Sequence, residues 1–307
     1  MPELPDVVVY LEALNRSIVG HRLQRLNLLN PFVLRSVDPP VESISGQVVR
    51  DVRRVGKRIV LVFNPEQDGP PGGEAAFPIF LVIHLMIAGR LRWRAPNQRV
   101  GMGPRLILAS FEFAAGTLFF TEASSRKRAS IQLVRGEPAL RSLDPGGIEP
   151  LDATLSQVHE ALTRENHTLK RALTDPHLFS GIGNAYSDEI LHAAKLSPLA
   201  LSRSLSDAEH RRLHDAIRAT LELWIDRLRA EAKDGFPERV TAFRSAMAVH
   251  GKFKQPCPVC GSPVQRIVYA ENECNYCARC QTNGRLLADR ALSRLLKSDW
   301  PSSIDDA

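Results

Sequence analysis

A chain of 307 residues is long for one domain, and its 44% hydrophobic and 24% charged residues are the mix of an ordinary soluble protein able to bury a core. The formal net charge of +6 permits a polyanionic partner without requiring one. No cationic segment followed by an apolar one opens the chain, and the most apolar run, Phe77 to Ala88, is interrupted by His84 and is too short for a bilayer, so no secretion signal or membrane span is read and a soluble, cytoplasmic protein is expected.

The chain starts Met-Pro-Glu-Leu-Pro-Asp-Val. Removing Met1 would expose Pro2, whose secondary amine attacks an aldehyde carbon to give an iminium that cannot discharge by losing an N–H proton. An α-amine titrates near about 7.7–8, so a useful fraction is neutral and nucleophilic at physiological pH. Glu3 lies beside it as a proton-transfer group. Taken alone, the stretch is more simply an ordinary helix start, with Val8, Leu11 and Leu14 on one face of a helix over residues 3–17.

Strands follow. Arg22–Leu29, Gln47–Val55, Arg58–Phe63, Ile79–Leu85, Arg105–Phe113 and Thr117–Thr121 are short, rich in β-branched and aromatic residues, and broken by Gly and Pro, which predicts a sandwich or barrel. Glu66 to Pro78, with Gly-Pro-Pro-Gly-Gly inside it, reads as a loop. Around Leu143 to Pro150 the pattern turns helical, with helices expected at Leu155–Thr163, Leu169–Thr174, Ala185–Ala194 and a long one after Ser206. Ser206 and Glu209 form a capping box, and Leu213, Ile217, Leu221, Trp224 and Leu228 make one apolar stripe. Within this region Gly181-Ile-Gly183-Asn184 opens a helix. Its backbone N–H groups can surround a phosphate oxygen, or the glycines can simply shape a joint between helices.

Near the end, Cys257 and Cys260 form one C-x-x-C knuckle and Cys277 and Cys280 another, separated by enough chain for a β-hairpin. Four thiolates so spaced close a tetrahedron around zinc and leave no position for substrate, so the metal is structural; a redox pair or disulfides are the competing readings. Cys274 is left over, because only the other four make paired knuckles. The expected fold class is α+β, divided into a β-sandwich with flanking helices over residues 1–142, a helical domain over 143–250, and a zinc ribbon with its tail over 251–307.

The order of these pieces, Pro-Glu-Leu-Pro at the start, Gly56-Lys57 before a strand, Gly-Ile-Gly-Asn-x-Tyr-x-Asp-Glu at 181–189 and a terminal four-cysteine ribbon, resembles the formamidopyrimidine-DNA glycosylase / endonuclease VIII family over nearly the whole chain. The resemblance implies a monomeric base-excision repair enzyme with a β-sandwich, a helix-two-turn-helix domain and a zinc finger, holding damaged double-stranded DNA in a cleft between its halves. It implies that Pro2 attacks C1′ of a flipped nucleotide, that Glu3 and Lys57 move protons, and that a Schiff base and β elimination follow. Arg53, Arg54, Lys57 and Arg58 make a basic cluster suited to phosphate, although Lys57 alone reads as a solvated lysine. His84, Lys170 and Asn184 match residues that bind DNA in the family, His84 alone being equally a packed strand-end histidine.

Departures from the family pattern carry their own expectations. Ile87, preceded by Met86 in place of glycine, stands where the family has the methionine that fills the gap left by the flipped base. Ser124 to Ala129 replaces an Arg-Arg-Phe-Gly motif, leaving Arg126 or Arg128 to contact the orphan base without a phenylalanine. Asn272 replaces the arginine that serves δ elimination, which predicts β over δ product, with Arg266 or Arg279 as compensating cations. The stretch Lys233 to Val249 lacks the family's pattern for the loop that covers 8-oxoguanine, so formamidopyrimidines and oxidised pyrimidines are equally open as substrates. In the tail, Leu286, Leu287, Leu292, Leu295 and Leu296 predict a short amphipathic helix packing back. Two other classes fit part of the pattern: a DNA-binding relative that does not cut, and a zinc-ribbon protein of transcription or RNA metabolism, which leaves the Pro-Glu start unexplained.

Overall fold

The first helix, α1 (Leu4–Ile18), begins almost with the chain, and Pro5 sits in its first turn, where a missing N–H breaks no helical bond. The computed structural model describes residues 1–64, 77–96, 98, 101, 103–238, 240, 241, 243–269, 272–288 and 303–306. Their contacts fall into two units, one of Met1–Pro145 with Ile225–Thr241 and one of Gly146–Trp224 with Ala242–Ala307.

In the first unit, eight strands follow α1: β1 (Arg25–Leu28), β2 (Val49–Val55), β3 (Arg58–Phe63), β4 (Ile79–His84), β5 (Gly89–Arg94), β6 (Ile107–Phe113), β7 (Gly116–Glu122) and β8 (Ser130–Arg135), closed by α2 (Gly136–Arg141). They form two antiparallel four-stranded sheets, β1-β6-β7-β5 and β2-β3-β4-β8. The two-residue period of a strand explains why β3 after Arg58 and β4 before His84 are apolar at every position. Ile59, Leu61, Phe63, Ile79, Leu81 and Ile83 face a core shared with α1 and the other sheet, whereas Val60, Val62, Phe80 and Val82 pack with Leu140 of α2. Each such fully buried side chain contributes about 1.5–3 kcal/mol. The sandwich expected from sequence is present, with two strands and a helix it did not include. Three of the six residues of β5 are arginines, β8 interleaves Ile131, Leu133 and Val134 with Ser130, Gln132 and Arg135, and α2 opens on Gly136 and Pro138, which disguise a helix.

The second unit contains α3 (Leu155–Arg164), α4 (Leu169–Thr174), α5 (Asn184–Ala193) and the first part of α6 (Asp207–Ala232), then a hairpin of β9 (Gln265–Tyr269) and β10 (Asn272–Tyr276), and α7 (Ala278–Thr282). The capping box forms, Ser206 N–H donating to Glu209 Oε2 at 2.9 Å. Every residue of the α6 stripe is buried, and Trp224 meets Tyr186 of α5 edge-on at 5.9 Å. From Ile225 onward α6 belongs to the first unit.

The expected loop at Glu66 to Pro78 lies outside the described residues except for Phe77 and Pro78, as do Leu292, Leu295 and Leu296 of the tail. Leu286 and Leu287 are not in a helix, and they pack with the hairpin. Ile304 N–H donates to Gly284 O, and Ile304 rests on a cluster of Ile267, Tyr276, Leu286 and Leu287. Among the described residues no helix is long and apolar enough to cross a membrane.

Candidate catalytic terminus and metal centre

Helix α1 fixes the start of the chain. Pro2 and Glu3 are buried, and Glu3 N–H donates to Asp6 Oδ2 at 3.0 Å, which satisfies one of the donors a helix start leaves open. The helix is tied down within its unit at two further points. Tyr10 Oη lies 3.5 Å from Leu91 O and 3.4 Å from Leu91 N, and Glu12 accepts from Arg229 of α6 at 2.7 Å.

Burial holds the α-amine of Met1 below its ordinary value. Glu3 and Asp6 oppose this, while Arg90 and Lys57 reinforce it. Lys57 and Glu3, far apart in sequence, are thus close enough to the terminus for both charges to act on it. Lys57 reaches this place through a hairpin: Val55 pairs with Arg58, leaving Gly56 and Lys57 as the two turn residues, and Gly56 takes the positive φ of 59° that such a turn requires. The basic cluster around it is only partly directed outward. Arg53 pairs with Glu137 at 2.5 Å and lies over the Phe80 ring, and Arg58 donates to Leu143 O.

His84 ends β4, opposite Arg58 on one side and Ser130 on the other. Burial, then the charges of Arg58 and Lys57, lower its pKa from 6.5 to about 4, so its ring is neutral at physiological pH. The following turn raises Ile87 to 60% exposure, and Met86 takes a left-handed φ of 51° at the position where the sequence comparison expects glycine. Arg126 and Arg128 are exposed on the loop from β7 to β8. That loop hangs on the buried carboxylate of Glu122, which accepts from the N–H groups of Arg128 at 3.0 Å and Ala129 at 3.2 Å.

In the second unit the expected phosphate ligands are held differently. Lys170 Nζ donates to Asn184 O at 2.7 Å, Ser187 Oγ at 2.8 Å and Asp188 Oδ1 at 2.5 Å, and its side chain is only 12% exposed. Asn184 Nδ2 donates to Glu273 O of β10 at 2.9 Å. Asp188 Oδ2 also takes His250 Nδ1 at 2.8 Å and Asn275 N–H at 3.1 Å, and Glu189 accepts the N–H groups of Ala248, Val249 and His250. The Lys170 and His250 contacts hold the Asp188 carboxyl below the usual range against the opposing pull of burial. Sequence reasoning missed the structural part played by Asp188, Glu189 and His250. The available signal was an acid pair inside a helix whose residues from Ala185 to Leu191 are otherwise compatible with full burial.

Cys257, Cys260, Cys277 and Cys280 bring their sulfurs within 4.8 Å of one another, the one group of three or more metal-ligating side chains among the described residues. The Cys257–Cys280 and Cys260–Cys277 separations are 3.9 and 3.4 Å. A tetrahedral zinc with bonds of about 2.3 Å has sulfurs roughly 3.8 Å apart, so these residues fit a metal ion of that kind. His192 of α5 places Nε2 3.3 Å from Cys257 Sγ, an outer contact that orients the ligand. Cys274 is buried away from the four, beside Asp188, and burial raises its thiol pKa. Of the compensating cations, Arg279 pairs with Asp305, and Arg266 lies over the Phe253 ring and 3.5 Å from Glu273, opposite Asn275 rather than beside Asn272.

A family model described as the formamidopyrimidine-DNA glycosylase N-terminal domain matches residues 1–128, and another, the formamidopyrimidine-DNA glycosylase H2TH domain, matches residues 147–233. The formamidopyrimidine-DNA glycosylase of Symbiobacterium thermophilum is 30% identical over 292 residues, spanning 92% of this chain and 89% of that one. An uncharacterized formamidopyrimidine-DNA glycosylase-like protein of Mycobacterium tuberculosis is 40% identical over 162 residues, 53% of this chain and 99% of its own length. Among solved structures, the MutM (Fpg) protein of Thermus thermophilus is similar with a TM-score of 0.72 at 28% identity, covering 91% of this chain and 98% of that one. Lactococcus lactis Fpg, in complex with DNA containing N7-benzyl-Fapy-dG, shares the fold with a TM-score of 0.75 at 23% identity, covering 92% and 100%.

Proposed function

The chain belongs to the formamidopyrimidine-DNA glycosylase family and is a base-excision repair DNA glycosylase with lyase activity; from that premise we propose that Pro2, once Met1 is removed, is its nucleophile, with Glu3 and Lys57 as proton-transfer groups. The observation that carries this reading is that Pro2 and Glu3 are buried together at the start of α1, with Lys57, far away in sequence, close enough for its charge to act on the same terminus. Attack of the amine on C1′ expels the base, which leaves with a proton. The sugar ring opens to an iminium on the proline nitrogen. That cation acidifies C2′–H; loss of the proton forms the C=C bond as the C3′–O bond breaks, and water then frees the amine.

The substrate is duplex DNA with a damaged base, the protein acting as a monomer in the cytoplasm with access to the chromosome. Ile87, exposed on its turn, fills the space left by the extruded base, and Arg126 or Arg128 reaches the orphan partner. His84 offers a phosphate a hydrogen bond rather than a charge, and Lys170 and Asn184 present the start of α5 to the backbone. The four cysteines hold one structural zinc, which supplies rigidity to the hairpin and no chemistry. With Asn272 at the head of β10 the β product exceeds the δ product.

Borohydride trapping on duplexes carrying an abasic site or single lesions, beside a Pro2→Gly control, tests the reading and ranks formamidopyrimidine, oxidised pyrimidine and 8-oxoguanine. A trapped band lost in the control supports it. No band on any duplex, with the terminus confirmed as Pro2, would replace it by a DNA-binding protein that does not cut.

A further inference from the structure

The turn that carries Ile87 is short and constrained. Its last residue, Gly89, has no room for a Cβ, which would lie 2.2 Å from Leu85 O, and Gly89 N–H donates to that same oxygen at 2.8 Å. Strand β5 therefore begins immediately, and its first side chain, Arg90, folds back along the turn. Arg90 Nη1 donates to Gly89 O at 2.6 Å and to Ile87 O at 3.1 Å, while Nε donates to Val240 O at 2.6 Å. One guanidinium thus holds the turn and a segment 150 residues later in sequence.

The neighbourhood of Val240 is itself seated on the first unit. Arg92 and Arg94, on the same face of β5 as Arg90, donate to Glu238 at 2.7 and 2.6 Å. Phe236 packs its ring 5.8 Å from that of Tyr10, and Val240 is buried in the sandwich core. This is the stretch where the family's pattern for a loop over the lesion is missing. Here it is fastened at Glu238 and Val240 to the strand that follows the Ile87 turn, and at Phe236 to α1.

We infer that Arg90 is a positioning residue: its guanidinium fastens the Ile87 turn to the segment at Val240, and base excision depends on that fastening more than strand cleavage at a ready-made abasic site does. The inference rests on the glycosylase reading for its consequence and on geometry alone for the fastening. Excising a base requires a wedge to hold the emptied stack open against re-pairing, and a wedge on a loose turn yields instead of holding. An abasic sugar has no base to return, so its cleavage needs the wedge less. The role requires a fork: Nε and Nη1 point to different edges, and a single ammonium cannot serve both.

The test compares wild type, Arg90→Ala and Arg90→Lys in single-turnover excision of the best-trapped lesion, in cleavage of an abasic duplex, and in amide hydrogen exchange. Arg90→Lys keeps the positive charge near the terminal amine while losing the fork. Both variants should lose roughly tenfold or more in excision and stay within about threefold on the abasic duplex. Exchange should quicken together in peptides covering residues 85–90 and 236–241. Rescue of excision by lysine, a parallel fall on the abasic duplex, or unchanged exchange in either segment overturns the inference. If wild type cleaves neither duplex, the glycosylase reading fails together with the excision consequence, and the exchange arm alone decides whether Arg90 fastens the two segments.

Discussion

The two units treat their positive charges in opposite ways. In the sandwich unit the loop bearing Arg126 and Arg128 is anchored by a carboxylate, Glu122, acting on backbone N–H groups, and the two arginines stay exposed. In the helical unit the cation is the anchor: Lys170 is spent on Asn184, Ser187 and Asp188, and Asp188 carries the load on to His250 and β10. Cations expected at the DNA, a loop arginine at the orphan base and Lys170 at the phosphates, are thus in different physical states. A buried, hydrogen-bonded charge is costly to remove and adds little long-range attraction, whereas an exposed one is nearly neutral to stability and fully effective in counterion release.

That contrast breaks most sharply at the metal. Structural zinc binding in small modules is worth about 10–16 kcal/mol, far more than any single side chain. Metal analysis should find one zinc per chain, and chelation, or Cys277→Ser, should unfold the hairpin region. Full depletion with an unchanged unfolding midpoint would refute a structural metal. Next in size is Lys170→Met, which leaves Asp188 buried without its closest partner. A loss of roughly 3–5 kcal/mol is expected in denaturant unfolding, and a near-neutral change would show that the network is not holding the unit together. Arg126→Ala and Arg128→Ala are the opposite case. Stability should move by no more than about 0.5 kcal/mol, while an arginine that meets phosphate takes about 0.9 off the logarithmic salt slope of duplex binding. Duplex affinity and salt slope both untouched by the two substitutions would remove the loop from the interface.

How much of this could be read from the chain depended on whether the deciding partner was local. Strand β3 was legible because apolar residues at every position from Ile59 to Phe63 leave no other element of that length. The four cysteines were legible because their spacing encodes the geometry. Strand β5 was not, since Arg90, Arg92 and Arg94 disguise an alternation whose apolar half is only Leu91 and Trp93. The burial of Lys170 was equally invisible: its state is set by Asp188 and, through it, by His250 from another part of the chain. A family match can name the residue, but whether its charge faces solvent is a tertiary fact.

A stability effect confined to acid pH concerns His84, which sharpens the comparison because it lies in the sandwich unit yet carries no charge. Its folded pKa of about 4 lies below the unfolded 6.5, so on acidification the unfolded chain binds the proton first. Stability should therefore fall as pH drops from about 6.5 to about 4 and change no further below that, because both states are then protonated. The shift caps the effect at about 3 kcal/mol, and partial exposure of the ring reduces it to roughly 1 kcal/mol. His84→Asn should flatten this part of the pH profile of unfolding. At neutral pH it should weaken duplex binding without altering the salt slope, because a neutral imidazole releases no counterion. A fall in slope like that expected for an arginine would mean that bound phosphate recharges the ring, and an unchanged pH profile would mean that His84 is not the group whose burial resists the proton.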